Sequence, residues 1–212
     1  MITIKNTTIS GWEAALRGMR MPMNSHDKAD SYFNTSSGTP VIGKNDLALA
    51  KRLCAAGSEH RKFLRYVIVT FDVTAPVLWS MQLDTYKVGT VRNSTSKMHK
   101  LLAKPFELSD FAAEDLPDVT KGVLQVIIDQ LNAWRQNYLD TPKQMINTRK
   151  ELWESILRLL PESYMQTSTM LMNYEVLRAI YRQRKGHRLN EWAQFLEWID
   201  TLPYHELITE EA

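Results

Sequence analysis

The chain is short of most things that announce a function. It has one cysteine, Cys54, in 212 residues. No disulfide can form within it, and no Cys-x-x-Cys metal site is possible, so a reducing compartment is the simpler expectation. Net charge is nearly absent: 26 Lys+Arg stand against 24 Asp+Glu, for a formal +2. That balance gives no general nucleic-acid signal, and any attraction to phosphate must be local. No apolar run approaches the roughly 18 residues a membrane span needs, and "MITIKNTTIS" has no basic-then-apolar leader pattern. The expectation is a cytoplasmic protein without membrane contact. Internal repeats and low-complexity tracts are missing. So are a Walker loop, G-x-G-x-x-G, H-E-x-x-H and any triad signature, and with them the chemistry each would carry.

What is present is a sizeable core. Hydrophobic residues make up 44% of the chain, with six tryptophans, enough for a folded globular protein. "MITIKNTTI" alternates like a strand. Ser10 and Glu13 have capping-box spacing before "WEAALRGM". "NSHDKADSYFNTSSGTPVIGKND" is turn-rich and reads as a loop. "DLALAKRLCAAG" places Leu47, Ala50, Leu53 and Cys54 on one helical face, so Cys54 is expected as a packed thiol. "RYVIVTFDV" is the best strand. A helix is expected after it, with Thr74 as cap and Pro76 in its first turn; Leu78, Gln82 and Thr85 would share one side of it. The second half reads as helices. Val119, Val123, Ile127, Leu131, Trp134 and Tyr138 form one stripe. A helix from Thr141–Pro142 to Pro161, a helix over "ESYMQTSTMLMNYEVLRAIYRQRKGH", and "LNEWAQFLEWIDTLP" follow. The class is α+β: a small mixed sheet packed with a helical bundle.

Three clusters suit an anion. "TYKVGTVRNSTSKM" collects Lys87, Arg92, Asn93, Ser94, Thr95, Ser96 and Lys97, and charge plus hydroxyls can hold a phosphate. "YRQRKGHR" gathers Arg182, Arg184, Lys185, His187 and Arg188. "SEHRKFLR" contains His60. Each has a plainer reading, as a solvated turn, a helix end whose dipole favours cations, or a surface histidine.

The order of these elements resembles the flavin-dependent thymidylate synthase family. The likeness rests on "TFDVTAPVLWSMQLDTYKVGTVRNSTSKM". The family has a strand ending Thr-Phe, an Ala-Pro helix start, then a Gln three residues before Arg-His-Arg, seven residues and Ser. Here Thr70–Phe71, Ala75–Pro76 and Gln82 fall in place. The hallmark becomes Thr85–Tyr86–Lys87, seven residues, then Thr95, so spacing is kept while every hallmark residue changes. Lys97 stands where the family has a nucleotide-holding Arg, and His60 where it has a flavin-contacting His. Arg184, His187 and Glu191 resemble the late Arg…His…Glu helix start. Arg158 and Asn173 match with one-residue shifts, as Arg184 does, and "AALRGMR" resembles an N-terminal Arg-containing helix.

The resemblance implies one domain over 1–212 and a homotetramer. It implies a pyrimidine nucleotide, dUMP, held by Gln82, Thr85, Thr95, Ser96, Lys97, Arg158 and Arg184. It implies FAD held by His60, Tyr86, Lys87, Asn173 and His187, and no metal. The family's reaction is methylation of dUMP, with carbon from methylenetetrahydrofolate and hydride from reduced FAD. The flavin carries the hard chemistry there, and no cysteine nucleophile is needed. Thr85 supplies a hydroxyl where the family supplies a guanidinium. Lys87 keeps the charge without the fork, and Tyr86 can stack on a ring. Two expectations therefore stand beside a purely structural one: a divergent enzyme, and a non-catalytic protein that binds or sequesters a nucleotide.

Overall fold

The computed structural model describes residues 1–33 and 40–210. The chain divides into two compact units. One comprises Met1, 74–82 and 94–167; the other comprises 2–73, 83–93 and 168–212. The strands β4 (Ile68–Pro76), β5 (Val91–Ser94) and β6 (Met165–Asn173) run through both. With β1 (Thr3–Ser10) they form a four-stranded sheet in the order β1-β4-β6-β5.

The sheet is antiparallel, not mixed. Its cross-strand contacts run in opposite senses: Thr8 meets Thr70 while Asn6 meets Asp72, and Asp72 meets Thr169 while Thr74 meets Thr167. The physical reason is legible in β4, where Val69, Phe71, Val73 and Ala75 are buried and the residues between them are half-exposed. A sheet with one wetter face suits antiparallel pairing, whereas parallel strands are covered on both faces.

Several element boundaries differ from expectation. Ser10 is the last residue of β1, so it does not cap α1 (Trp12–Arg20). Gly11 makes the turn at φ 87, and a Cβ there would lie 1.9 Å from the Tyr66 carbonyl oxygen. Arg65 and Tyr66, expected to open the strand, instead end a 3-10 stretch over Arg61–Tyr66. Thr74 stays in β4 and pairs with Thr167 through their hydroxyls at 2.7 Å, so the helix α3 begins only at Val77 and runs to Leu83. Its first two amides, Val77 and Leu78, donate to the carbonyls of Tyr164 and Glu162. The turn-rich stretch holds a two-strand hairpin, β2 (Tyr32–Phe33) with β3 (Pro40–Val41); the rest of that loop, 34–39, lies outside the described residues.

The largest difference is β6. The segment reads as helix because methionines favour helices, and because Gln166 and Ser168 hide the alternation by being polar and buried. The burial does alternate, and Asn173 then caps α7 (Tyr174–Arg184) by accepting from the Val176 amide at 3.0 Å.

In the unit containing 94–167, α4 is Lys97–Lys100, α5 is Asp118–Asp140 and α6 is Ile146–Leu159. Its core is Leu101, Phe106, Phe111, Leu124, Ile128, Leu131 and Ile156. Of the expected stripe of α5, Leu131 is buried and Ile127 and Trp134 pack partly buried against this core, whereas Val119 and Val123 are exposed, as is Val126, and Leu124 and Ile128 are buried instead. Ile127 and Ile128 are adjacent, and period alone does not choose between them. α6 starts later than Thr141–Pro142 because Thr141 ends α5.

The other unit is centred on Trp12, Phe71, Tyr174, Trp192, Phe195 and Ile199. These come from β4, α1, α7 and α8 (Asn190–Asp200), with α9 (Glu206–Thr209) beside α7. In α2 (Lys44–Ala56) the fully buried residues are Asp46, Ala50 and Cys54. Burial pushes the Cys54 thiol up to about 11, which leaves it a core thiol and a poor nucleophile. Cys54→Ala should cost about 1 kcal/mol. The intact protein should resist alkylation at pH 8 and react on unfolding; rapid labelling of the native protein would show the thiol to be accessible.

Candidate functional site

In the unit containing 94–167, three of the sequence-expected residues come together. Thr95 and Ser96 leave the end of β5, and Lys97 opens α4. The Thr95 amide donates to the Thr167 carbonyl at 2.9 Å, and the Gln166 side-chain amide donates to the Thr95 carbonyl. This corner is thus held by β6. It forms one wall of a pocket of about 300 Å³, whose other lining includes Lys100, Lys104, Phe106, Tyr164 and Gln166. Lys97 and Lys100 make no ion pair among the described residues. Lys104 pairs with Asp110 at 2.7 Å, and that bond holds its ammonium above the usual lysine range, so it stays charged. Burial pushes the Tyr164 phenol up, with Asp110 acting the same way. The ring therefore stays neutral at pH 7.

Leu101 and Phe106 give the pocket apolar ground, and the lysines give it a positive rim. That arrangement suits an anion attached to a flat ring. Lys100, Lys104, Tyr164 and Gln166 were not singled out from sequence. The signal for Lys100 was there, since 97 and 100 are one helical turn apart. Gln82, on α3, and Arg158, on α6, do not line this pocket. Arg158 is exposed and pairs with Glu154 at 3.2 Å.

The other unit gathers Tyr86, Arg184 and His187 around Trp192. The Arg184 guanidinium carbon lies 4.6 Å from the centre of the Trp192 ring and 5.5 Å from that of Tyr86. Arg184 Nε donates to the Tyr86 hydroxyl at 3.0 Å, and that hydroxyl donates to Gln183 at 3.0 Å. The His187 ring sits 6.2 Å from Trp192, and its Nδ1 accepts from the Leu189 amide. Trp192 had been read only as core.

The loop carrying Tyr86 is tied down at two further points. Asp84 pairs with Arg92 at 2.8 Å. Gly89, at φ 80, passes so close to Asn173 that a Cβ would lie 2.8 Å from its amide nitrogen. Thr85 and Lys87 are exposed. His60 is exposed beside Glu59 at 3.6 Å. Tyr86→Phe keeps the ring and deletes two hydrogen bonds, so it should cost about 1 kcal/mol. Urea denaturation checks this; an unchanged midpoint would mean that the hydroxyl adds nothing to the loop.

Several of the residues implied for a flavin already make hydrogen bonds within the chain. The Asn173 carbonyl caps α7, His187 Nδ1 accepts from its own turn, and the Tyr86 hydroxyl is held by Gln183 and Arg184. His60 and Lys87 are exposed to solvent. No group of three His, Cys, Asp or Glu suited to a metal stands together among the described residues. No described helix is long and apolar enough to cross a membrane.

No family model and no curated protein matches the sequence. Solved structures of flavin-dependent thymidylate synthases do match its fold. The crystal structure of thymidylate synthase X (ThyX) from Helicobacter pylori with FAD and dUMP superposes with a TM-score of 0.69 at 14% identity, covering 99% of this chain and 96% of that one. A second structure of the Helicobacter pylori enzyme, also complexed with FAD and dUMP, gives 0.64 at 16% identity, with 98% and 96% covered. The chain therefore has a ThyX-like fold over nearly its whole length.

Proposed function

We propose that this chain binds a pyrimidine nucleotide monophosphate, with dUMP the first candidate, in the Thr95–Ser96–Lys97 pocket. One observation carries the reading. Thr95 and Lys97, which keep the family's spacing, line a single pocket with Ser96 and Lys100, and neither Lys97 nor Lys100 pairs with a carboxylate among the described residues. Hydroxyls and ammonium groups at the rim would take the phosphate, and Phe106 and Leu101 would take the ring. Calorimetric titration with dUMP tests this, with UMP and inorganic phosphate as comparisons. Binding of dUMP well above that of phosphate supports the reading; no binding at low salt removes it.

A second reading is flavin-dependent methylation of dUMP, with methylenetetrahydrofolate as carbon donor. The likeness to ThyX structures holding both FAD and dUMP favours it. Thr85 and Lys87 in place of two arginines count against fast turnover, since losing one donor that stabilises developing charge costs on the order of 10²–10³ in rate. A yellow protein with flavin absorbance, released on denaturation, would favour the enzyme; a colourless protein that binds dUMP would favour a non-catalytic nucleotide binder. Assembly as a homotetramer belongs to the same proposal. The exposed Val119, Val123 and Val126 on one face of α5 support it, and light scattering tests it.

A further inference from the structure

The unit containing 94–167 has a second basic hollow that the nucleotide reading does not use. Helix α4 stands between the two: Lys97 and Lys100 line the first, while Met98 lines the second. The second hollow, of about 380 Å³, is built by Met98 with Tyr138, Lys143, Arg149, Lys150 and Trp153. Three of these are cations, and no acidic residue lines it.

The hollow is fixed by the corner between α5 and α6. Arg149 Nη1 donates to the carbonyls of Tyr138 and Thr141, at 2.6 Å each, and its guanidinium carbon lies 4.0 Å from the centre of the Tyr138 ring. Its Nε and Nη2 make no hydrogen bond among the described residues. Lys143 has no ion pair among them, and Lys150 reaches Glu154 only at 3.8 Å. Met98 is 58% exposed and Trp153 half-buried, so apolar surface lies among the charges.

We infer that this hollow is a binding surface for single-stranded nucleic acid. Its three cations, Lys143 from the α5–α6 turn and Arg149 and Lys150 from α6, stand beside Trp153 and Met98, on which unpaired bases can rest. Basic grooves interleaved with aromatic rings hold single strands in this way. A duplex offers phosphates but keeps its bases stacked, so Trp153 and Met98 would gain nothing from it. The formal charge of +2 does not oppose the assignment, because attraction here is local and screened within about 10 Å at 0.1 M salt.

The test is fluorescence anisotropy of the full chain with a labelled oligothymidylate at low salt. Lys143→Glu and Lys150→Gln should each weaken binding roughly tenfold and flatten the salt dependence. Trp153→Phe should retain binding, and Trp153→Ala should lose roughly tenfold with the salt slope kept. Circular dichroism confirms that each variant is folded, and the two lysine variants keep the inference testable if the Trp153→Ala protein unfolds. A duplex of the same sequence should bind more weakly. The inference is overturned if the duplex or polyglutamate binds as well as the single strand, if no strand binds, or if the folded lysine variants bind like wild type. Lys143→Glu should leave dUMP affinity unchanged, which separates failure here from failure of the nucleotide pocket.

Discussion

Asp46→Ala is expected to destabilise the protein by about 3–5 kcal/mol, the usual cost of leaving a buried charge without its partner. Arg20 and Asp46 are both buried, and Arg20 Nε donates to Asp46 Oδ1 at 2.6 Å. The second carboxylate oxygen accepts from the amides of Asp30 and Ser31, at 3.1 and 3.0 Å, and from the Ser31 hydroxyl. Arg20 in turn donates to the carbonyls of Ser25 and Lys28. One ion pair thus orders the segment between α1 and α2. Removing the carboxylate strands a guanidinium and three other donors. In a chain this long each kcal/mol moves Tm by roughly 2–4 °C, so calorimetry should show a fall of roughly 10 °C. Arg20→Met with Asp46→Leu should cost less than either single change, because the double variant leaves no lone charge.

The pH dependence follows from the same contacts. Burial by itself raises the Asp46 carboxyl, but hydrogen bonds from Ser31, Arg20 and the Asp30 backbone outweigh it and hold the group below the usual carboxylate range. A depressed folded value means that the stabilisation is fully present above the unfolded value of about 3.9 and is lost as pH falls through the folded one. Stability due to this pair should be flat from pH 7 to 5 and should fall only below about pH 4. A wild-type Tm for Asp46→Ala, or a loss already at pH 6, would contradict this account.

Asp46 also shows where the sequence stops being legible. An aspartate in the first turn of a helix looks like an ordinary solvated residue favoured by the dipole. Nothing local reveals that Arg20, 26 positions earlier, reaches it in the interior. β6 hides for a related reason: its buried Gln166 and Ser168 are satisfied by partners distant in sequence, such as Thr95 and Arg92. By contrast, α8 was readable in full, because Trp192, Phe195, Leu196 and Ile199 keep one period on one buried face. The middle of β4 was readable for the same reason, since its β-branched and aromatic residues alternate, although both of its ends were misplaced. Of the site, Thr95, Ser96 and Lys97 were legible through spacing alone. Lys104 was not, because its place depends on Asp110, Phe106 and Tyr164 folding the chain back across the pocket.

Lys97→Ala and Lys100→Ala are each expected to weaken dUMP binding roughly 10- to 150-fold. That range corresponds to losing one charge-assisted contact of about 1.5–3 kcal/mol. Neither ammonium has a carboxylate partner among the described residues, so removing one leaves no stranded charge, and stability should stay within about 0.5 kcal/mol of wild type. Lys104→Ala makes a different prediction. Its ammonium is already paired with Asp110, and deleting it would leave that carboxylate facing the pocket, where it should repel a phosphate. Its effect on affinity should therefore equal or exceed the others, and Lys104→Ala with Asp110→Ala should recover part of the loss. Raised salt should weaken wild-type binding, and more steeply than it weakens the lysine variants. Calorimetry across this set decides the matter. If wild type takes up dUMP and both Lys97→Ala and Lys100→Ala bind as tightly, the nucleotide sits elsewhere on the chain, and these lysines are solvated surface charges.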